Sequence, residues 1–257
     1  MKVVLSVSGS DSGGGAGIQA DLKTFHRFGV FGTSVLTLVT AQNTQTVTQV
    51  LNLSPELVWQ QLEAVSADFP LAAGKVGDMA NAEVARTVAR FFRTHPLHPL
   101  VVDPVMISKH GAPLLEAEAI PVVREAVLPL ADLVTPNLPE LAALVGREVN
   151  GEDQIIAAGE ELAALGPLVL VKGGHRTGPE AVDILLGAGE PLFFSAPRID
   201  STNTHGTGCT FSAAITAFLA LGQEIPEAIR EAKAYITRAI ETAPGLGSGY
   251  GPLNHWA

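Results

Sequence analysis

Two glycine-rich turns in the sequence have the composition of phosphate- or anion-binding loops. The first is residues 9–17, Gly-Ser-Asp-Ser-Gly-Gly-Gly-Ala-Gly, and the second is residues 205–210, His-Gly-Thr-Gly-Cys-Thr. Glycine allows close approach of the backbone to a ligand, and a helix that follows offers free N–H groups at its positive end. We therefore expect Gly206 and Gly208 to form an anion hole for a transferred phosphoryl group. The first turn fits neither the Walker A spacing nor G-x-G-x-x-G.

The only cysteine, Cys209, lies in the first turn of the helix predicted after Gly208. A helix N-terminus favours the thiolate, so this position suits a nucleophile or base. Considered alone, however, a free cysteine is more often a small buried apolar residue. A single cysteine also excludes an intramolecular disulfide and a zinc site built from several thiolates.

Polar side chains directly follow several aliphatic segments. Asp103, Asn137, Glu140 and Lys172 each lie just beyond a predicted strand, and Gln42 ends another. Carboxylates in such positions can hold Mg²⁺ through water, a lysine suits a phosphate, and an amide can hydrogen-bond a base-like ring. Taken one at a time, a turn cap, a solvent-exposed charge or a surface lysine is the more ordinary interpretation.

These residues need elements that bring them together. Strands are predicted at residues 3–7, 33–40, 71–76, 100–102 and 168–171, a hairpin at 181–186 and 191–195, and helices at 16–28, 55–69, 82–92, 120–128, 138–145, 154–165, 207–221 and 226–242. Such alternation predicts an α/β fold with three layers, a mostly parallel central sheet with helices on both faces. Ligands of such sheets bind at the carboxyl ends of the strands, where the polar turns would meet. We expect one domain over residues 1–257.

Composition narrows the classes of partner. Lys and Arg total 16 against 26 Asp and Glu, a net charge of -10, which disfavours non-specific binding to nucleic acid or anionic membranes. A hydrophobic content of 47% argues against disorder. The N-terminal apolar stretch is too short for a secretory signal, and no apolar run has the length of a membrane span. We expect a cytoplasmic protein.

Several segments, in register, resemble the hydroxymethylpyrimidine/phosphomethylpyrimidine kinases of thiamine biosynthesis, which belong to the ribokinase superfamily. The resemblance covers essentially the whole chain and lies in residues 9–24, Thr40–Thr44, Val102–Met106, Thr135–Glu140, Val171–His175, Asn203–Thr210 and Gly251–His255. It implies a ribokinase-like fold and a homodimer. It also implies an ATP-dependent kinase that uses Mg²⁺ to phosphorylate 4-amino-5-hydroxymethyl-2-methylpyrimidine and then its monophosphate.

The resemblance also implies a role for each matching residue. The residues that line the pyrimidine pocket would be Gly9, Asp11, Gln42, Met79 and Val105. Asp103 and Glu140 would organise Mg²⁺ and its waters, and ATP would be bound by Lys172, Asn137 and Thr207. The catalytic set would be Cys209, Gly206, Gly208 and Lys172, with the cysteine as base on the substrate hydroxymethyl group.

Two positions depart from the family pattern. After Lys75-Val76-Gly77 the family usually has a methionine that packs on the pyrimidine, whereas here Asp78 comes first and Met79 second. Either a shift of one residue preserves the methionine contact, or the pocket is more polar. Tyr250 stands where a histidine is common before Gly-Pro.

Three other functions fit parts of the sequence. A pyridoxal/pyridoxine kinase shares the fold and the Gly-Thr-Gly-Cys turn, although Gln42 and the first glycine turn favour the pyrimidine. A serine hydrolase built on Ser12 lacks the nucleophile-elbow spacing. A non-catalytic pyrimidine-binding module would have no need of Asp103, Lys172 and Cys209 together.

Overall fold

The computed structural model describes residues 1–108, 111, 113–175 and 178–257. Within these residues, nine strands form one sheet in the order β3-β2-β1-β4-β5-β6-β7-β8-β9. The strands are β1 (Val3–Asp11), β2 (Phe31–Gln42), β3 (Val47–Asn52), β4 (Leu71–Val76), β5 (Leu100–Val102), β6 (Leu133–Val134), β7 (Leu168–Val171), β8 (Glu180–Leu186) and β9 (Leu192–Pro197). The six central strands pair in parallel, and β3, β8 and β9 are antiparallel at the two ends. The predicted α/β class with a mostly parallel sheet is confirmed.

Helices cover both faces of this sheet. They are α1 (Gly17–Arg27), α2 (Pro55–Asp68), α3 (Ala82–Thr94), α4 (Ala119–Val122), α5 (Leu138–Val145), α6 (Glu152–Ala163), α7 (Thr207–Ala220) and α8 (Ile225–Glu241). Successive strand residues point to opposite faces. Val101 therefore joins the cluster formed with α7 and α8, whereas Val102 joins the larger cluster formed with α2 to α6.

The first strand is longer than its aliphatic residues indicate. The sequence predicts a strand over residues 3–7, but β1 continues to Asp11 and includes Gly9 and Ser10. The extension pairs with β2 and needs a small residue at position 9, where a Cβ would stand 2.7 Å from Leu38 Cδ1. The glycine-rich segment is therefore partly a strand, and only the residues after Asp11 form a turn.

Two further elements differ from the prediction. The strand β3 is not predicted, because its residues lie at the edge of the sheet and are almost all exposed, which leaves no apolar alternation to detect. The helix predicted over residues 120–128 is α4 followed by a π-helical turn, Val123–Val127, and a 3₁₀ turn, Leu128–Leu130. The hairpin of β8 and β9 is confirmed.

The helix starts follow local capping chemistry. Ser54 Oγ accepts a hydrogen bond from Leu57 N at 3.2 Å, with Pro55 in the first turn of α2, as the sequence predicts. Over the described ranges, no helix is both long enough and apolar enough to cross a bilayer.

Candidate active site

A cavity of about 1010 Å³ lies at the carboxyl ends of the parallel strands. The turns after β1, β2, β4, β5, β6 and β7 and the first turn of α7 all contribute to its wall. The predicted site residues that line it are Gly9, Asp11, Gln42, Asp103, Val105, Asn137, Glu140, Lys172, Gly206, Thr207, Gly208 and Cys209. The fold thus brings together every predicted site residue except Met79.

A lysine and two carboxylates meet inside this cavity. Lys172 Nζ lies 2.6 Å from Asp103 Oδ1 and 3.7 Å from Glu140 Oε2. Asp103 also accepts hydrogen bonds from Thr135 Oγ1 at 3.2 Å and Ser212 Oγ at 3.1 Å. Burial opposes the charge of Asp103, but Lys172 outweighs it, with help from Lys75, and holds the pKa of Asp103 below its usual value. Asp103 is therefore a carboxylate at neutral pH.

Glu140 is tied to the first turn of α5. Asn137 N donates to Glu140 Oε2 at 2.7 Å, and Glu140 N donates to Asn137 Oδ1 at 2.9 Å, which is a reciprocal capping box. Glu140 is only 6% exposed, so the solvent-exposed charge considered for this residue is wrong. Burial raises its pKa to about 7, against the opposing effect of Lys172.

The chemistry of these two carboxylates fits a magnesium ion. Magnesium usually keeps several waters and takes one or two protein carboxylates together with substrate phosphates. Among the residues that the structure describes, no group of three or more His, Cys, Asp or Glu side chains could enclose a metal. Asp103 and Glu140 therefore suit an ion that arrives with a phosphate ligand better than an ion held by protein atoms alone.

The two glycine turns contact each other through their backbones. Gly206 has φ +81°, and a Cβ at this position would stand 1.8 Å from the carbonyl oxygen of Gly15. A Cβ on Gly208 would lie 3.3 Å from Lys172 Nζ and 3.6 Å from Asp103 Oδ2. The N-terminus of α7 consequently adjoins the lysine and the carboxylate. This arrangement suits a group that carries negative charge.

Cys209 occupies the first turn of α7 and is half-buried. Burial raises the pKa of its thiol to about 11, and the favourable effect of Lys75 is not enough to reverse this. The protein's own groups therefore favour the thiolate too weakly to overcome the effect of burial. Cys209 is a thiol at neutral pH unless further positive charge approaches.

Asp11 organises the first glycine turn. Its Oδ1 accepts from Gly13 N at 2.8 Å, and its Oδ2 accepts from Gly15 N at 3.0 Å and Ala16 N at 2.9 Å. His205 Nε2 lies 2.8 Å from the same Oδ2. Burial opposes ionisation, but these contacts lower the pKa of Asp11. Asp11 thus lines the cavity and also fixes the loop.

His205 joins the two turns and is the main residue that the sequence interpretation missed. It is buried, and its Nε2 lies 3.3 Å from Gln42 Nε2 as well as next to Asp11. Thr40 Oγ1 donates to Gln42 Oε1 at 3.3 Å, so the amide of Gln42 is held from two sides. The only signal in the sequence was the position of His205 as the first residue of the second glycine turn.

Met79 does not line the cavity, contrary to the expectation. Its side chain is 1% exposed and belongs to the core cluster, whereas Asp78 and Ala80 reach the cavity wall. The chain turns sharply here, since Ala80 has φ 60° and Ala80 N donates to Asp78 Oδ1 at 2.9 Å. Of the two alternatives for this departure from the family, the more polar pocket is the one that the geometry supports.

A fully buried ion pair lies near the site and was also missed. Lys75 Nζ donates to both carboxylate oxygens of Asp21 at 2.8 Å, and Ser6 Oγ donates to Asp21 Oδ2 at 2.6 Å. The charge of Lys75 favours the ionised forms of Cys209 and Asp103. The pair was hard to detect because Asp21 lies on a predicted helix and Lys75 on a predicted strand, 54 residues apart in the chain.

Known proteins share both the sequence and the fold. The phosphomethylpyrimidine kinase family matches residues 11–254. A hydroxymethylpyrimidine/phosphomethylpyrimidine kinase of Haemophilus influenzae is 47% identical over 100% of this chain and 97% of its own length. A phosphomethylpyrimidine kinase structure from Clostridium difficile is 44% identical and covers 93% of this chain and 100% of its own, with a TM-score of 0.83. The ADP complex of Bacillus subtilis pyridoxal kinase is 37% identical and covers 99% of this chain and 97% of its own, with a TM-score of 0.92.

Proposed function

The chain belongs to the phosphomethylpyrimidine kinase family, and we propose that it phosphorylates 4-amino-5-hydroxymethyl-2-methylpyrimidine and then its monophosphate, with ATP as donor, for thiamine diphosphate biosynthesis. The observation that carries this proposal is the meeting of Lys172, Asp103 and Glu140 with the N-terminus of α7 in one cavity. Phosphoryl transfer is catalysed mainly by positioning and electrostatic stabilisation, which such an arrangement supplies.

The charged residues of the cavity would have different roles in binding the phosphates. Lys172 would bind oxygens of the transferred phosphoryl group, and the N–H groups at the start of α7 would receive the charge that develops on it. Asp103 and Glu140 would hold Mg²⁺, which would supply charge neutralisation between the phosphates. Asn137 and Thr207, at the starts of α5 and α7, would position the nucleotide.

The two phosphorylation steps place different demands on a base. In the first step the substrate hydroxyl oxygen bonds to the γ-phosphorus, the bond to ADP breaks, and the hydroxyl proton passes to Cys209 Sγ. This role requires a thiolate, so positive charge beyond that of Lys75 must lower the thiol pKa from about 11. In the second step the acceptor is already an anionic phosphate oxygen, and little base catalysis is needed.

A pyridoxal or pyridoxine kinase is the second candidate, favoured by the likeness to the Bacillus subtilis pyridoxal kinase. Gln42 on the cavity wall favours the aminopyrimidine, because an amide can pair with an amino group and a ring nitrogen. Comparing kcat/KM for hydroxymethylpyrimidine and pyridoxine separates the two. The single domain, the homodimer and the cytoplasmic location stay predictions.

The test of the main proposal is product identification. The protein is incubated with Mg-ATP and hydroxymethylpyrimidine, and mass spectrometry follows the monophosphate and the diphosphate. We expect the monophosphate to appear first and the diphosphate to follow, with no phosphorylated product when either substrate is left out. If ATP is consumed and no phosphorylated pyrimidine forms, the proposed function is wrong.

A further inference from the structure

We propose that Asp78 determines substrate specificity in this cavity, with its Oδ2 oxygen hydrogen-bonded to a ring nitrogen of the heteroaromatic substrate. The inference rests on the proposed function, since it assigns a contact for the substrate ring of that reaction. It concerns the residue that stands where the family usually has an apolar methionine.

The backbone of Asp78 is held from two neighbouring strands. Asp78 N donates to Ser8 Oγ of β1 at 3.2 Å, and Thr37 Oγ1 of β2 donates to the carbonyl oxygen of Asp78 at 2.7 Å. Ala80 N then donates to Asp78 Oδ1 at 2.9 Å. The carboxyl group is therefore fixed in direction before any ligand binds, which lowers the entropic cost of using it for recognition.

The second oxygen, Oδ2, adjoins the cavity. A Cβ on Gly9 would lie 3.5 Å from it, and Gly9 itself lines the cavity, so the absence of a side chain at position 9 leaves Oδ2 accessible. Across the described part of the chain, the only hydrogen bond to the Asp78 side chain is that of Ala80 N to Oδ1. Asp78 as a residue is only 5% exposed, and Oδ2 has no hydrogen-bond partner among the described residues, so a ligand that enters the cavity can supply one.

An azine ring supplies the partner that this environment requires. Burial raises the pKa of Asp78 to about 7, opposed only by the Ala80 N–H, so the group can donate or accept near neutral pH. As an acid it donates its O–H to an unprotonated ring nitrogen, and as a carboxylate it accepts from a protonated one. One proton is shared in either case, and a C–H in place of the ring nitrogen leaves Oδ2 unsatisfied.

The test compares the pyrimidine substrate with two pyridine analogues, in each of which C–H replaces one ring nitrogen. For the unaltered protein we expect kcat/KM for one of the two analogues to be at least tenfold below that of the pyrimidine. In the Asp78→Ser variant the hydroxyl can still accept from Ala80 N, but Oδ2 is gone. The preference over that analogue should then fall to within about threefold of unity.

A control variant separates loss of the Asp78 contact from a general effect of replacing an aspartate by serine. Asp153 is exposed in the first turn of α6 and does not line the cavity, so Asp153→Ser should keep the full preference for the pyrimidine. The proposal is overturned if Asp78→Ser and the unaltered protein show the same preference, or if Asp78→Ser lowers kcat/KM equally for all three rings.

Failure of the proposed function has a different signature. If the unaltered protein phosphorylates none of the three rings but accepts pyridoxal, the assignment of a pyrimidine substrate is wrong. The Asp78 contact is then tested by comparing pyridoxal with its benzene analogue, which lacks the ring nitrogen. If Asp78→Ser loses the preference for pyridoxal over the benzene analogue, the contact between Asp78 and the ring nitrogen is supported. If Asp78→Ser keeps that preference, the contact is overturned.

Discussion

The charge of Lys172 makes it possible for Asp103 to remain ionised inside the cavity. The two atoms Lys172 Nζ and Asp103 Oδ1 are 2.6 Å apart, and Asp103 is fully buried. We expect Lys172→Met to lower kcat for both phosphorylations by roughly 10²- to 10³-fold, because the developing phosphoryl charge loses a donor and Asp103 loses its counter-ion. Steady-state kinetics on the pyrimidine and on its monophosphate measures this. The exposed Lys2→Met is the matched control and should leave kcat unchanged, whereas an active Lys172→Met would contradict the phosphate role.

The two phosphorylation reactions should depend on Cys209 to different extents. We expect Cys209→Ala to cut the rate of alcohol phosphorylation by roughly 10²- to 10⁴-fold, the usual worth of a general base. The rate on the monophosphate should fall by less than tenfold, because that acceptor carries its own negative charge. Single-turnover measurements with each acceptor give the two rates. Equal losses in both would show that the thiol acts in positioning and not as a base.

The site residues at the ends of strands were largely predictable from the sequence, whereas the buried contacts that position other site residues were not. Asp103 and Lys172 directly follow strands, and Glu140 lies in the first turn of the helix that follows another strand. Because strand ends converge in a parallel sheet, the meeting of these residues follows from the sequence. His205 was named only as part of a turn, because its contact with Asp11 joins residues far apart in the chain. The inward turn at Asp78 depends on the unusual φ of Ala80, which no local pattern indicates.

The position of helix α7 depends on the close contact between its N-cap residue Gly206 and the first glycine turn. At Gly206 a side chain would meet the carbonyl oxygen of Gly15 and would also require φ +81°. We expect Gly206→Ala to lower kcat/KM by at least a hundredfold and to destabilise the protein, since the two turns must separate. Thermal unfolding and kinetics together measure the two effects.

Gly222 provides a matched control for that substitution. It has φ +95°, but nothing lies within 4 Å of a Cβ there. Gly222→Ala should therefore cost only the backbone strain, on the order of 1 kcal/mol, and leave kcat/KM unchanged. If the two variants behave alike, backbone strain and not the contact between the turns explains the effect at Gly206.

Elements with a buried apolar face were predicted well, and elements defined by pairing were not. The amphipathic periods of α3 and α8 and the aliphatic runs of β5 and β7 correspond to their burial. The strand β3 exists because β2 offers it backbone partners, so its exposed residues carry no signal. The extension of β1 to Asp11 likewise depends on its pairing with β2.

At the scale of the whole molecule, the C-terminal segment contacts both the β2–β3 turn and the second glycine turn. Tyr250 N donates to the carbonyl oxygen of Thr44 at 2.8 Å, and His205 N donates to that of Gly251 at 3.1 Å. His255 is buried behind this segment, where its Nε2 lies 3.2 Å from Thr210 Oγ1. The segment therefore holds the β2–β3 turn and the start of α7 in one arrangement.

The burial of His255 predicts a loss of stability in acid. Burial, with a smaller effect of Lys23, lowers the pKa of His255 to about 4, below the ordinary 6.5. Between these values the unfolded chain binds a proton that the folded protein does not, so the free energy of unfolding falls as pH falls from 6.5 to 4. The full loss is roughly 3 kcal/mol at 1.36 kcal/mol for each pKa unit.

Chemical denaturation at several pH values measures this dependence. His255→Gln should unfold with a smaller dependence on pH between 6.5 and 4, whereas the exposed His26→Gln should follow the unaltered protein. Parallel curves for all three proteins would contradict the assignment of the acid sensitivity to His255.

The pairing of Asp11 with His205, 194 residues apart, has a consequence for biosynthesis on the ribosome. At roughly 5–20 residues per second, about 10–40 seconds pass between translation of the first glycine turn and translation of its histidine partner. During that interval β1 can pair with β2 and β4, but the cavity lacks the wall that α7 supplies. A nascent chain can therefore pair β1, β2 and β4 well before its cavity is complete, and we expect premature termination before residue 205 to yield an inactive fragment.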